Sequence, residues 1–245
     1  MSDPELSVVI PAYNEAQRLP PTLERIRRHL DGTSYELVVV DDGSADDTAL
    51  RAEAAGARVV RNEGNRGKGY AVRRGMLLAR GARRLMTDAD LSTPIEDLGR
   101  LRAKMDEGYD VVIASRALPT SNVEVRQPWY RENMGRLFNL CVRAVALPGL
   151  ADTQCGFKLF SARAAEEAFG AARLDGFSFD VEALFVARRR GFRIAEVPVT
   201  WRNDEGTRVN AIKGMVAFLD LARIRLNDWR GAYDAGSPSR GRPVL

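Results

Sequence analysis

The stretch Leu85-Met86-Thr87-Asp88-Ala89-Asp90-Leu91-Ser92-Thr93-Pro94 decides how this chain is read. A short apolar run ends in two carboxylates two residues apart. In extended backbone, residues i and i+2 share a face, so Asp88 and Asp90 leave a strand aimed at one small volume. Carboxylates that close repel each other unless a positive charge lies between them. Mg²⁺ is commonly held by one or two carboxylates plus substrate phosphates. The same residues also suit a solvated turn that opens the next helix, with Thr93 as N-cap and Pro94 at N1. An Asp-x-Asp pair alone does not choose between these readings.

Working outward, the acidic pair falls at the end of the fourth of five predicted strands: residues 6–10, 35–40, 58–61, 84–87 and 111–115. Helical periodicity fills the intervals, over residues 16–30, 45–54, 69–79 and 94–107. Continuous β-branched strands alternating with helices predict an α/β fold, a Rossmann-like, mostly parallel sheet with helices on both faces. Ligands of such sheets sit at the carboxyl ends of the strands. Polar clusters fall there three times: Tyr13 to Glu15, Asp41-Asp42, and Asp88 to Asp90. The second half is less regular. Residues 116–128 read as a loop, 129–147 as a helix, and 152–160 as a polar turn running into a strand. Helices are expected over 161–169 and 179–190, a strand over 192–200, and a mobile loop over 203–209. A C-terminal amphipathic helix over 211–229 places Ile212, Met215, Leu219, Ala222, Leu226 and Trp229 near one face. The Gly/Pro/Ser/Arg-rich stretch 231–245 reads as a disordered tail. One domain is expected over 1–230, with residues 1–115 as its nucleotide half and 116–230 as its acceptor half.

Composition narrows the classes. The 245 residues are 45% hydrophobic and 29% charged, as in a globular protein. No run of 18 apolar residues suggests a membrane span, and MSDPELSVVIPAYNE lacks the basic start and apolar core of an export signal. Cys141 and Cys155 show no metal-ligand spacing and fit reduced thiols in the cytoplasm. The single His29 sits in a charged helix pattern and reads as a surface residue. A net charge of +4 is compatible with nucleic acid, anionic lipid or phosphorylated substrates. No nucleic-acid reader motif accompanies it, so no nucleic-acid partner is expected.

Several stretches together resemble one family: LSVVIPAYNE, LVVVDDGS, GNRGKGYAVRRGM, DADLSTP, DTQCGFKLF, FDVEAL and EVPVTW. In this order, over roughly residues 5–230, they resemble family 2 glycosyltransferases of the GT-A fold, and within them the dolichyl-phosphate (polyprenyl-phosphate) β-glucosyltransferases. The resemblance implies roles. Pro11, Ala12, Tyr13 and Glu15 would cradle base and ribose. Asp42 would bind the base, with Asp41 beside it. Gly67 and Lys68 would lie along the nucleotide, with Lys68 near a phosphate. Asp88 and Ala89 would approach ribose or metal-bound phosphate, and Asp90 would be the principal ligand of Mg²⁺ or Mn²⁺. Related mannosyl-transferring enzymes often carry Gln two positions after the second Asp; Ser92 stands there in this chain, which puts a second side-chain metal ligand in doubt.

The implied reaction moves glucose from UDP-glucose to a polyprenyl phosphate. The rival readings are GDP-mannose as donor, a soluble acceptor, or a sugar-nucleotide-binding protein without catalysis. A sugar hydroxyl needs a general base, whereas a lipid phosphate is already anionic and needs positioning by Arg, whose planar fork matches phosphate. Candidates are Arg116, Arg131, Arg136, Arg202 and Arg208, in a chain that is Arg-rich throughout. Asp152 would sit near the acceptor and donor sugar, orienting hydroxyls or acting as base; a turn aspartate bonding its own backbone is the plain alternative. Asp180 and Glu182 would hold the sugar or form a structural ion pair. The helices from Trp129 and Ala211 combine apolar faces with basic residues. They suit peripheral contact with a membrane surface, packing on the domain, or a homo-oligomer interface.

Overall fold

The computed structural model describes residues 3–125, 129–202 and 211–234. Strands β1 (Leu6–Ala12), β2 (Tyr35–Asp41), β3 (Arg58–Arg61), β4 (Arg83–Thr87), β5 (Val111–Ser115), β7 (Phe157–Ser161) and β8 (Ile194–Pro198) form one sheet in the order β3-β2-β1-β4-β7-β5-β8. All neighbours pair parallel except β7, which runs antiparallel to both β4 and β5. The β4–β7 register sets Thr87 opposite Phe157. The turn preceding β7 therefore arrives at the edge from which Asp88 departs, and the polar segment 152–156 meets the acidic pair.

Strand side chains alternate between two apolar layers, as period-2 geometry requires. Val9, Val40, Met86 and Phe160 face α3 (Lys68–Leu78), α6 (Ala162–Ala171) and α7 (Phe179–Arg189). Val8, Ile10, Leu85 and Leu159 face α1 (Leu19–His29) and α4 (Leu98–Asp106). Leu19, Leu23 and Ile26 are the buried stripe of α1, and His29 is exposed at its end. This helix begins later than the periodicity suggests, because Pro20 and Pro21 are suited to a helix's first turn. Helix α2 spans Thr48–Ala54.

Three expectations change. The loop expected over 116–128 contains β6 (Asn122–Val125), paired parallel with β9 (Thr200–Arg202) in a separate small sheet. Thr93 does not cap a helix: its hydroxyl points inward to Cys155 Sγ at 3.4 Å, and a 3-10 turn at Ile95–Asp97 precedes α4. At the start of the expected tail, residues 231–234 form a turn in which Tyr233 is fully buried; residues 235–245 lie outside the described ones, as do 203–210.

Helices α5 (Trp129–Val145) and α8 (Ala211–Trp229) pack together through Phe138 and Phe218, whose rings meet edge-on at 5.3 Å. Of the stripe read from sequence on α8, Leu219, Ala222, Leu226 and Trp229 are exposed, while the neighbouring Ala217, Leu221 and Ile224 are buried; the Ile212 and Met215 side chains lie outside the described residues. Met134, Leu137 and Leu140 of α5 are exposed as well.

Candidate active site

Asp88 and Asp90 stand in the turn just beyond β4, not in the strand itself. Leu91 adopts φ +46°, a left-handed conformation that costs a branched residue energy and recurs at functional sites. Ser92 N–H donates to Asp90 Oδ1 at 2.9 Å, and Asp88 N–H to the Gly156 carbonyl at 3.2 Å. Gly156 is glycine for a steric reason. A Cβ there would lie 2.0 Å from Asp88 Oδ2, so the carboxylate occupies the space a side chain would need.

Lys68 Nζ pairs with Asp88 Oδ1 at 2.7 Å. The pair lacks hydrogen-bond alignment, and this buried oxygen has no aligned donor. Burial pushes the Asp90 carboxyl up, and the neighbouring Asp88 charge pushes it further. Burial works against the Lys68 charge, yet Asp88, Asp180 and Asp90 together hold its pKa above the ordinary value. Behind them, buried Lys158 bonds Asp180 Oδ1 and the Cys155 carbonyl, each at 2.6 Å. Three carboxylates against two ammonium groups leave this cluster one net negative charge. Asp88 and Asp90 thus fit a hard cation. Among the described residues no group of three or more His, Cys, Asp or Glu could hold a metal. A cation here would take the rest of its shell from substrate oxygens and water.

The loops after β1 and β2 are stitched together. Asn14 N–H donates to Ser44 Oγ and Glu15 N–H to Thr48 Oγ1, both at 2.8 Å, and Ala45 N–H donates to Asn14 Oδ1. Asn14 holds φ +55° and leaves Tyr13 exposed at the rim, beyond Pro11 and buried Ala12. Asp41 accepts from Ser44 N–H. Asp42 is turned inward: it accepts from Asn62 Nδ2 and from the Arg66 and Gly67 amides at 2.7–3.0 Å. Its carboxylate fixes the loop that carries Lys68. Ala89 is buried, and its carbonyl accepts from Thr22 Oγ1.

On the turn that brings Gly156 against Asp88, Asp152 is buried and grips Arg116 bidentately, Nε to Oδ2 at 2.6 Å and Nη2 to Oδ1 at 2.9 Å. It also accepts from the Arg116 and Gln154 amides. Burial alone would raise its pKa, but the Arg116 guanidinium holds it below the usual carboxylate range. A carboxylate whose oxygens are so engaged, and whose pKa is lowered, is poorly suited to act as a general base, and its bonds hold the Arg116 guanidinium in place. Arg116 in turn lies over the Trp201 ring at 5.3 Å. Glu196 of β8 completes the support by accepting from the Ala151 and Asp152 amides at 2.7 and 2.9 Å.

The other arginines do not all converge. Arg202 pairs with Glu124 at 2.6 Å across the small sheet, and Arg136 is exposed on α5. The Arg131 side chain and Arg208 lie outside the described residues. Asp180 serves the Lys158 ion pair, and Glu182 bonds backbone amides and Tyr233, so both take structural partners. Sequence reasoning gave no role to Glu196, Asn62, Lys158 or Gly156. Lys158 carried a signal, a lone cation inside the apolar strand Phe157-Lys158-Leu159-Phe160.

The family model described as Glycosyl transferase family 2 matches residues 7–169. The chain is a family 2 glycosyltransferase. A dolichyl-phosphate β-glucosyltransferase of Dictyostelium discoideum is 34% identical to this glycosyltransferase over 248 residues, covering 93% of this chain and 76% of the relative. The human protein of that name is 33% identical over 250 residues, with 94% and 77% covered. Among solved structures, glucosyl-3-phosphoglycerate synthase from Mycobacterium tuberculosis in complex with phosphoglyceric acid has a TM-score of 0.71 at 22% identity, covering 90% of this chain and 80% of that one. The same synthase with Mn²⁺, UDP and glucosyl-3-phosphoglycerate has a TM-score of 0.68 at 23% identity, with 90% and 80% covered. At that identity the likeness carries the GT-A fold.

Proposed function

We propose that this glycosyltransferase moves glucose from UDP-glucose to a polyprenyl phosphate, with Mg²⁺ or Mn²⁺ at Asp88 and Asp90. The observation that carries the reading is the commitment of Asp152 to Arg116. With that carboxylate spent on a guanidinium, the site suits an acceptor that brings its own anionic nucleophile. The names of the dolichyl-phosphate relatives point the same way.

In this reading Tyr13, Asp41 and the loops joined to them receive the nucleoside, and Lys68 leaves Asp88 for a diphosphate oxygen. A divalent cation bound here supplies Lewis-acid neutralisation of charge developing on the diphosphate. Lys68 adds a second positive charge beside the leaving group. Arg116, fixed in plane by Asp152, aims the acceptor phosphate. One phosphate oxygen forms a bond to the anomeric carbon as the bond to UDP breaks on the opposite face, so the α-linked donor gives a β-linked product. The acceptor oxygen is already deprotonated, so no proton has to move.

A lipid acceptor implies contact with a bilayer. No helix among the described residues is long and apolar enough to cross a membrane. The exposed Leu219, Leu226 and Trp229 of α8, with Met134 and Leu137 of α5, lie on helices that also carry Arg136, Arg223 and Arg225. Such a surface suits the headgroup layer of a cytoplasmic membrane face. For the chemistry, Asp90→Ala is expected to abolish turnover and metal-dependent donor binding. Near-normal turnover in that variant would remove Asp90 from the site.

A further inference from the structure

We infer that Tyr233, in the turn that follows α8, is a positioning residue for Lys68, acting through Glu182 and the 173–176 turn. The inference rests on the reading of Lys68 as a donor contact. Tyr233 is fully buried and its hydroxyl donates to Glu182 Oε1 at 2.6 Å. Glu182, also fully buried, uses Oε2 to accept from the Arg173 and Leu174 amides at 2.8 and 2.7 Å. Arg173 Nη2 reaches back to the Ala232 carbonyl at 3.1 Å, so the terminal turn and the 173–174 backbone hold each other.

The next residue carries the link to the site. The Asp175 carbonyl accepts from the Gly69 and Tyr70 amides at 2.9 and 3.3 Å, two of the donors that a helix start leaves without partners. Asp175 Oδ1 pairs with Arg73 of the same helix at 2.7 Å. The approach is tight. A Cβ on Gly67, which has φ +101°, would lie 2.4 Å from the Asp175 carbonyl oxygen, and one on Gly69 would lie 2.7 Å from that of Gly176. On the far side, Asp42 holds the Arg66 and Gly67 amides. Lys68 therefore projects from a turn clamped between Asp42 and the 174–176 backbone, and one jaw of that clamp is held by Tyr233. A buried carboxylate in a low-dielectric network is costly to leave short of a donor, so loss of the Tyr233 hydroxyl loosens that jaw.

Hydrogen exchange of the 245-residue chain, followed over residues 66–72, reads the clamp without any ligand. Tyr233→Phe is expected to speed exchange at the Gly69 and Tyr70 amides roughly tenfold, while the β1–α1 core is unchanged. UDP binding by calorimetry, with Mn²⁺ present, is expected to weaken several-fold in the same variant. Glu182→Gln keeps an oxygen for the two amides but turns a donor toward Tyr233, whose oxygen already accepts from Asn227 Nδ2, so the hydroxyl proton loses its acceptor and both readings are expected to shift as in Tyr233→Phe. A control, Ile26→Val in the opposite core layer, lowers stability but leaves both readings alone. Unchanged exchange at Gly69 and Tyr70 in Tyr233→Phe overturns the inference, as does an equal acceleration in the Ile26→Val control. If the wild type does not bind UDP, the donor assignment fails, while the exchange measurement still decides the clamp.

Discussion

Replacing Asp152 with Asn separates the two roles open to that residue. The carboxylate accepts four hydrogen bonds, two from the Arg116 side chain, one from its amide and one from Gln154 N–H. An asparagine keeps the shape but has one oxygen, and its NH₂ must face a donor. A lost hydrogen bond to a charged group is worth about 1.5–3 kcal/mol. Asp152 is nearly inaccessible, but the Arg116 side chain is 27% exposed and can recover some hydration. The expected destabilisation is therefore about 2–3 kcal/mol, below the ~3–5 kcal/mol for breaking a fully buried pair. In a chain of this size that lowers the Tm by roughly 4–12 °C. Burial would raise the Asp152 pKa, but Arg116 holds it below its ordinary 3.8. Its stabilisation is thus complete above pH 3.8 and is lost as pH falls through the lower folded value. Thermal melts of wild type and variant should stay apart above pH 3.8 and converge only as the pH falls through that lower folded value. Turnover distinguishes orientation from base catalysis through a double-mutant cycle. If Asp152 acts through Arg116, Asp152→Asn added to Arg116→Ala costs no further activity. Multiplying losses would refute the reasoning, as would an unchanged Tm in the single variant.

Gly156→Ala places a methyl group where Asp88 Oδ2 lies, so donor binding in the presence of Mn²⁺ should weaken at least about tenfold while the protein stays folded; unaltered binding would show that Asp88 is not held as described. Liposome flotation with anionic lipid should carry the wild type upward, and Leu219→Glu with Trp229→Glu should release it. Failure of the wild type to float, with and without acceptor lipid, would sink the peripheral-membrane proposal.

The first half was legible because its signals are local. Continuous strands such as Leu37-Val38-Val39-Val40 followed by a polar turn locate the sheet edge, and Asp88 with Asp90 stands out there as an acidic pair. Strand direction is less local. Phe157 to Phe160 is apolar enough for a buried strand, but nothing in its pattern says that it runs antiparallel between β4 and β5. Its direction depends on where the Asp152–Gly156 turn has to land. The pairing of β6 with β9 joins residues nearly eighty apart and includes exposed Arg202, so periodicity does not reveal it. The sequence marks Asp152 as a candidate, but its partners Arg116 and Glu196 approach it from β5's end and β8, which no local pattern reveals. The Gly/Pro/Ser/Arg composition after Gly231 suggested disorder because it averages over Tyr233, whose burial is set by a partner on α7.

Nucleotide release with and without a short polyprenyl phosphate, in Mg²⁺ or Mn²⁺, tests the central claim most directly. The account predicts lipid-dependent release of UDP from UDP-glucose, with a β-linked glucosyl lipid phosphate as the other product. Release of GDP from GDP-mannose, or UDP release that needs a soluble acceptor and ignores the lipid, would contradict it.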